Sequence, residues 1–577
     1  MIQDIYDPLG EYDSVFRHKF NEVAEETFAQ LTQEANIDVD KNQKTCSLLY
    51  KMQDDLSALK KRLAWWKVLC AFLWIVAISG ILMIALQYDA HSIWILLLVG
   101  LASVVSLVML FWKVMPIIKQ KKKEQEDVTN TIDNLQQEAW DQLAPLNALY
   151  DWDIFTRMMS RTIPRLEFDP YFTTQRLADL EKTYGWDGSF NEERSVVYAH
   201  SGLINGNPFV ICRTKKMEMG EKTYHGELEI HWTTIERDSD GKSYTRHHSE
   251  TLHAEVTAPY PGYYETTRVI YGNTAGPDLI FSREQSDLIG REDSLAYKWE
   301  RRKLRKKTQD LKNNDYAMMA NEEFEVLFNT SNRNNNHQFA LLFTPLAQEN
   351  ILKILQDKEV GYGDDFSFYK HKMINTITPQ HMQDLNLDLN PDQYLHFDYE
   401  QAKENFISVN KEYFRAIYFC MAPLLCVPMY QQIRPQEAIY GRDMKKCSSF
   451  WEHESLANFW GIDQFKHPDC VTDCILKTEK THSQGDAAVI TVSAYGYRVE
   501  QRLAYVEKYG GDGNWHQVPV YWDEYLPVTG MGSLQIEEDN EMVDEQTMTP
   551  IDRLRRTAEI LQNSNLSVYR RHIASKV

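Results

Sequence analysis

VLCAFLWIVAISGILMIAL, Val68–Leu86, and IWILLLVGLASVVSLVMLFW, Ile93–Trp112, are separated only by Gln87–Ser92. The runs are 19 and 20 residues long and neither contains Asp, Glu, Lys or Arg. A helix of about 20 apolar residues crosses the ~30 Å hydrocarbon layer of a bilayer. Eleven residues of the first run and thirteen of the second are Leu, Ile, Val or Phe. Each of these favours insertion by roughly 0.3–0.6 kcal/mol. Trp65, Trp66 and Trp112 stand at one end of the pair, and Tyr88 and Trp94 at the other. That is the spacing of aromatic belts at two membrane interfaces. The pattern predicts a transmembrane helical hairpin. It begins too far into the chain to be a signal peptide.

Working outward, Lys60, Lys61, Arg62 and Lys67 precede the first run, and Lys113, Lys119, Lys121, Lys122 and Lys123 follow the second. The connector has no Lys or Arg. The positive-inside rule therefore places both flanks, and with them both termini, in the cytoplasm. The expected localisation is the inner, cytoplasmic membrane, with two passes.

The flanks read as helical arms. Residues 12–34 carry Phe16, Phe20, Val23, Phe28 and Leu31 near helical spacing, and Asn36–Asn42 breaks the pattern. Leu49, Met52, Leu56, Leu59 and Leu63 alternate steps of three and four, a heptad seam running into the first span. Val128, Ile132, Leu135, Leu143, Leu146 and Leu149 give a looser seam after the second. The expectation is a pair of coiled-coil-like arms, packed on each other or serving as an oligomerisation stalk.

Past residue 150 the texture becomes α+β with mainly antiparallel sheets. Strand signals at 195–201 and 208–213 flank Asn205-Gly206, a two-residue hairpin turn. In 224–235 the alternation puts Leu228, Ile230 and Trp232 on one face and His225, Glu227, Glu229 and His231 on the other. Further strands are expected at 244–257, 267–271, 324–328, 339–343, 366–369 and 395–397. Helices are expected at 294–312, 344–355 and 400–430. The last ends apolar, but Pro423 and Pro428 break it, and it reads as core. Beyond 436 come strand-like stretches at 474–478, 487–495, 501–506 and 517–522, a Gly510–Gly513 turn, and a helix from Thr549 to Gln562. The domains so read are 1–64, an N-terminal arm; 65–115, the hairpin; 116–150, the second arm; 151–435, an α+β domain; and 436–577, a β-rich domain with a terminal helix.

The stretch Asn321-Glu-Glu-Phe-Glu-Val-Leu-Phe, then Phe339-Ala-Leu-Leu-Phe-Thr-Pro-Leu and a helix, then Phe366-Ser-Phe-Tyr, resembles an uncharacterised bacterial membrane-protein family, domain of unknown function 3137. The resemblance covers about 150–430 and is sharpest at 321–371. It implies N-terminal membrane helices joined to an α+β cytoplasmic domain. It implies no activity and no functional residues.

Several residue sets qualify as candidate sites. Cys447, Cys470 and Cys474 lie near His453, His467 and His482, the residue types of a zinc site, although only one Cys pair is close in sequence. His453-Glu454 opens like a zincin helix, but position 457 is Ala where the second His is required. His225, His231, His247 and His253 are positioned to meet Glu227 and Glu229 across a hairpin, as a metal or pH-sensing face or simply a solvated one. Lys298, Arg301, Arg302, Lys303, Arg305, Lys306 and Lys307 form a basic run, a candidate contact for anionic lipid at about 1 kcal/mol per residue.

A net charge of −21 argues against nucleic acid as a partner. Eight scattered Cys fit a reducing compartment better than a disulfide framework. No phosphate-cradling, dinucleotide or nucleophile-elbow motif occurs, and no cofactor is expected. Two functions remain. One is a membrane-anchored scaffold or interaction protein, its partners the bilayer, another protein and, through the arms, further copies of itself. The other is a membrane-anchored enzyme with a site assembled from scattered residues.

Overall fold

The computed structural model describes residues 4–86, 93–237, 242–309, 316–433, 447–484, 487–538, 566–570 and 572–576. The chain divides into two compact units. One holds Glu26–Tyr150 and Pro391–Ser408, and the other Met1–Glu25, Asp151–Asn390 and Val409–Val577.

In the first unit α1 (Val39–Leu86) carries the first apolar run. It starts three residues after Asn36, whose φ of +49° turns the chain. The second run is α2 (Ile93–Met109), which continues through a π-turn (Leu110–Val114) into α3 (Met115–Asn147). At that turn the Met115 N–H reaches back to the Leu110 carbonyl. The local cause is Pro116, whose missing N–H and bulky ring disrupt the ordinary i→i−4 ladder.

Two helices in this unit are long and apolar enough to cross a membrane. They meet along small side chains: Ala77, Ser103 and Ser106 are buried, and a Cβ at Gly80 would stand 2.0 Å from Ser103 Oγ. Small residues let helices approach closely where lipid supplies no hydrophobic drive between them. The large residues point away. Val68, Phe72, Ile75, Ile78, Ile81, Leu82, Leu98, Leu101, Val104, Val105, Val108, Phe111 and Trp112 are all exposed.

Farther along, the two arms bond to each other. Asn42 Nδ2 donates to Ala139 O, and Gln142 Nε2 donates to Thr45 Oγ1 at 3.0 Å. Of the expected seam, Leu49, Leu63, Ile132, Leu143, Leu146 and Leu149 are buried, and Met52, Leu56, Leu59, Val128 and Leu135 are half-buried. Residues 395–397, expected as a strand, instead follow a 3₁₀ turn (Pro391–Tyr394). Their backbone is satisfied by side-chain amides. Asn147 Nδ2 donates to His396 O at 3.0 Å and Asn42 Nδ2 to Phe397 O at 2.9 Å.

The second unit is built on two antiparallel sheets. The larger comprises β1 (Leu166–Phe168), β2 (Arg194–Ile204), β3 (Asn207–Arg237), β4 (Ser243–Gly272), β5 (Ile280–Arg283), β6 (Phe366–His371) and β7 (Ile374–Pro379), in the order β1-β2-β3-β4-β7-β6-β5. The turn between β2 and β3 is Asn205-Gly206, with φ of +52° and +78°, both in the left-handed region a type I′ turn requires. The smaller sheet comprises β8 (Ile475–Gln484), β9 (Ala487–Tyr509), β10 (Trp515–Glu538), β11 (Leu566–Tyr569) and β12 (His572–Lys576), in the order β11-β12-β10-β9-β8. The segment after 436 falls in this same unit. The expected helix at 549–562 and the connector 87–92 lie outside the described residues.

The helices here include α4 (Leu295–Gln309), α5 (Glu322–Phe328), α6 (Asn336–Leu342), α7 (Pro345–Gln356), α8 (Tyr399–Leu425), of which Val409–Leu425 belongs to this unit, and α9 (Phe450–Trp460). α5 and α6 correct the strands expected at 324–328 and 339–343. Asn321 and Asn335 cap them, accepting from Phe324 N and Gln338 N. Phe324 and Phe328, and Phe339 and Phe343, are four apart and share a helix face, which buries all four against Phe281 and Phe368. The residues behind the family resemblance are thus an aromatic core.

Candidate functional site

β3 and β4 are far longer than the strands beside them. They pair continuously from Phe209↔Tyr271 to Arg237↔Ser243, while β2 reaches only Lys216 and β7 only Val269. The remainder is a free two-stranded ribbon of about 20 residues per strand, roughly 70 Å at 3.4 Å per residue. β9 and β10 do the same beyond Tyr495 and before Leu534.

Neither ribbon is stable alone in water, because one face would leave its apolar residues wet. They solve this by stacking. Ile230, Leu252 and Ala254 bury against Val518 and Val520, flanked by Tyr224, Leu228, Trp232, Val256 and Val506. Gly226 lets the backbones touch, since a Cβ there would lie 2.2 Å from Pro519 O and 2.8 Å from Val520 Cγ2. At the turn of the second ribbon, Gly511 N donates to Glu250 Oε2 at 2.6 Å.

Each ribbon keeps one face outward. On the first it is the expected histidine face. The register sets His225 opposite Glu255 and Glu227 opposite His253, with contacts of 3.3 Å in both pairs, and His231 lies 3.7 Å from Glu229. These side chains are 63–69% exposed, and among the described residues no three His, Cys, Asp or Glu form a group able to hold a metal. The face is a solvated checkerboard of His and Glu side chains.

On the second ribbon the outward face is largely aromatic, interrupted by the exposed pair Glu507 and Gln517. Leu503, Tyr505, Tyr509, Trp515 and Tyr521 are 42–68% exposed. The register sets Tyr509 opposite Trp515 and Leu503 opposite Tyr521, with the Tyr509 and Trp515 rings 5.5 Å apart. This strip was legible as alternation through 503, 505 and 509, but its exposure was not.

The thiol set disperses. Cys470 and Cys474 are buried with sulfurs 3.7 Å apart, and burial pushes the Cys474 thiol up to about 12. Cys447 is exposed beside Thr174, whose N–H donates to its carbonyl, and His467 Nδ1 accepts from Asp469 N at 3.1 Å. The zinc expectation therefore finds no assembled ligand set among the described residues. His453 and Glu454 are buried in α9. Glu454 accepts from Asn191 Nδ2, Val196 N and Lys477 Nζ at 2.8–3.0 Å, a structural anchor.

Sequence reasoning missed a buried polar cluster whose members lie far apart in the chain. Arg570, at the β11–β12 turn with φ +53°, donates to Ala199 O at 2.6 Å and lies 3.3 Å from Glu452. With Tyr198, His200, Asp388 and Tyr413 it lines a cavity of about 20 Å³, room for one water. Burial holds Asp388 up at about 6. Burial, reinforced by the Arg570 charge, pulls His200 down to about 3. The neutral ring is well used: Nε2 donates to Asp169 O at 3.1 Å and Nδ1 accepts from Tyr198 OH at 3.3 Å.

A pH dependence follows. An unfolded histidine titrates near 6.5, so between about 6.5 and 3 the unfolded chain binds one more proton at His200 than the folded chain. The stability from its neutral form is full above pH 6.5 and lost as pH falls. It amounts to about 2 kcal/mol between pH 7 and 5. His200→Gln removes this dependence. The stability gap between wild type and variant, measured by denaturant titration, is expected to narrow by that amount from pH 7 to 5. A constant gap contradicts the assignment.

The basic run also divides. Arg305 is held by Glu322 through two bonds of 2.6 and 2.8 Å, and Lys307 Nζ donates to Ser331 O at 2.6 Å. Lys303 pairs with Glu300 at 3.0 Å, and Arg301 is half-buried with its Nε enclosed. Lys298, Arg302 and Lys306 are exposed. The expectation that all seven face one surface is corrected to these three.

Comparisons of the chain with protein-family models, curated proteins and solved structures return no match.

Proposed function

We propose that the chain is a membrane-anchored, cytoplasm-facing scaffold whose stacked ribbons present an aromatic strip to a second copy of itself. The observation that carries the anchoring is the outward large apolar side chains from Val68 to Leu82 on α1 and from Leu98 to Trp112 on α2 and the π-turn after it, around a seam of Ala77, Gly80, Ser103 and Ser106. Water would leave that surface unsatisfied, whereas hydrocarbon matches it. The nine Lys and Arg flanking the pair support the cytoplasmic orientation. The resemblance of 321–371 to a family of bacterial membrane proteins agrees with an inner-membrane location.

The strip sets four exposed aromatic side chains and Leu503 on one face, and aromatic side chains bury about 150–250 Å² each, against the ~800 Å² per partner of a standard interface. A twofold contact needs only one self-complementary patch. Tethering to one membrane raises the local concentration, so a modest contact suffices. The test is a photo-crosslinking residue at Trp515 in intact membranes. A covalent species of twice the chain's mass is expected, and none with the same probe at Thr251 on the other ribbon. A product of different mass would assign the strip to another protein. Monomer alone at position 515 would contradict the interaction role.

A further inference from the structure

Helix α4 has two faces of different character. Its inner face buries Tyr297 and Leu304. Its outer stripe, at steps of three and four, is Leu295, Lys298, Trp299, Arg302 and Lys306. Leu295 is 85% exposed and Trp299 64%. Among the described residues Lys298, Arg302 and Lys306 have no ion-pair partner, whereas the neighbouring Lys303 and Arg305 are already matched by carboxylates. Although the chain carries a net charge of −21, no carboxylate among the described residues pairs with these three bases, which lie beside an exposed Leu and an exposed Trp.

We infer that this stripe is a second, peripheral membrane contact, docking on the anionic surface of the bilayer that holds the hairpin. The chemistry is that of an interfacial helix. Trp sits at the headgroup level, Leu enters the acyl boundary, and Lys and Arg meet lipid phosphates. A single such stripe is weak by itself. Here the hairpin supplies the local concentration, so the stripe orients the sheet unit rather than recruiting it. An acidic protein surface would satisfy the three bases, but it gives no reason for Leu295 and Trp299 to share their stripe. The inference rests on the anchoring proposed above.

The experiment uses the full chain in nanodiscs, with an environment-sensitive fluorophore on Leu295→Cys in a Cys447→Ser background. Flotation with vesicles first reports whether the hairpin inserts, so failure of anchoring is seen separately. In discs containing phosphatidylglycerol at low salt, the label is expected to shift to the blue and be quenched by brominated lipid. Both signals should fade at about 1 M salt, where the screening length falls to about 3 Å. Arg302→Ala and Lys306→Ala should each weaken the lipid-bound fraction about fivefold. Trp299→Ala should weaken it at any salt. Equal signals in neutral and anionic discs, no signal in either, or a blue shift already present in detergent without lipid would each overturn the inference.

Discussion

Alanine at position 325 is expected to cost the sheet unit about 3–5 kcal/mol, the range for removing one partner of a buried ion pair. Glu325 and Arg333 have no side-chain exposure and meet through two bonds of 2.9 and 2.7 Å. Glu325 also accepts from Tyr316 OH at 2.8 Å and from Met319 N at 2.7 Å. Deleting it strands a guanidinium that sits over the Phe339 ring, 4.1 Å from its centroid. The double substitution Glu325→Met with Arg333→Met removes both charges and should recover most of the loss, because the desolvation penalty goes with the pair. Thermal unfolding of the two variants distinguishes the cases. Equal destabilisation would mean that the hydrogen bonds to Tyr316 and Met319, not the stranded charge, set the cost.

Valine at position 226 is expected to separate the ribbons while leaving the sheets at their base intact. The new Cβ would have to occupy space held by Pro519 O and Val520 Cγ2. One neighbour is backbone and cannot rotate away, so the strain of overpacking, about 1–3 kcal/mol, falls on the stacking itself. Ile230, Leu252, Val518 and Val520 share that buried cluster, whereas Val196, Val210 and Ile270 belong to another. Hydrogen exchange should therefore accelerate more than tenfold at 224–232 and 516–520 and stay unchanged at 196–212. The Trp515 crosslink should fall with it. Unchanged exchange at 516–520 would show that the ribbons do not depend on close approach at Gly226.

The pattern of residues carried much of this fold because several elements obey one period each. The apolar runs, the Asn205-Gly206 turn and the alternation from Tyr224 to Trp232 each encode a local choice that packing ratifies. The errors fell where periods compete. Phe324–Phe328 is a short stretch, apolar except for Glu325, compatible with either strand or helix, and what decides it is the Asn321 cap with the i,i+4 pairing of its two phenylalanines. The candidate sites were less legible, for a different reason. Which face of a ribbon is wet depends on what stacks on it, and the partner of Ile230 is Val518, nearly 300 positions away. The cluster of Arg570, Glu452 and His200 is likewise set by topology alone. The basic run was visible, but its division into matched and free charges depended on Glu322 and Ser331, which lie in another element.

The anchoring is tested most directly by reading both sides of the membrane on one chain. A single cysteine at position 90, in the connector, is paired in separate chains with a reporter at residue 10 or at the C-terminus. A membrane-impermeant maleimide should label position 90 only from the non-cytoplasmic side, and both reporters should register cytoplasm. Labelling of position 90 only from the cytoplasmic side, or release of the chain by alkaline carbonate, would contradict a spanning hairpin.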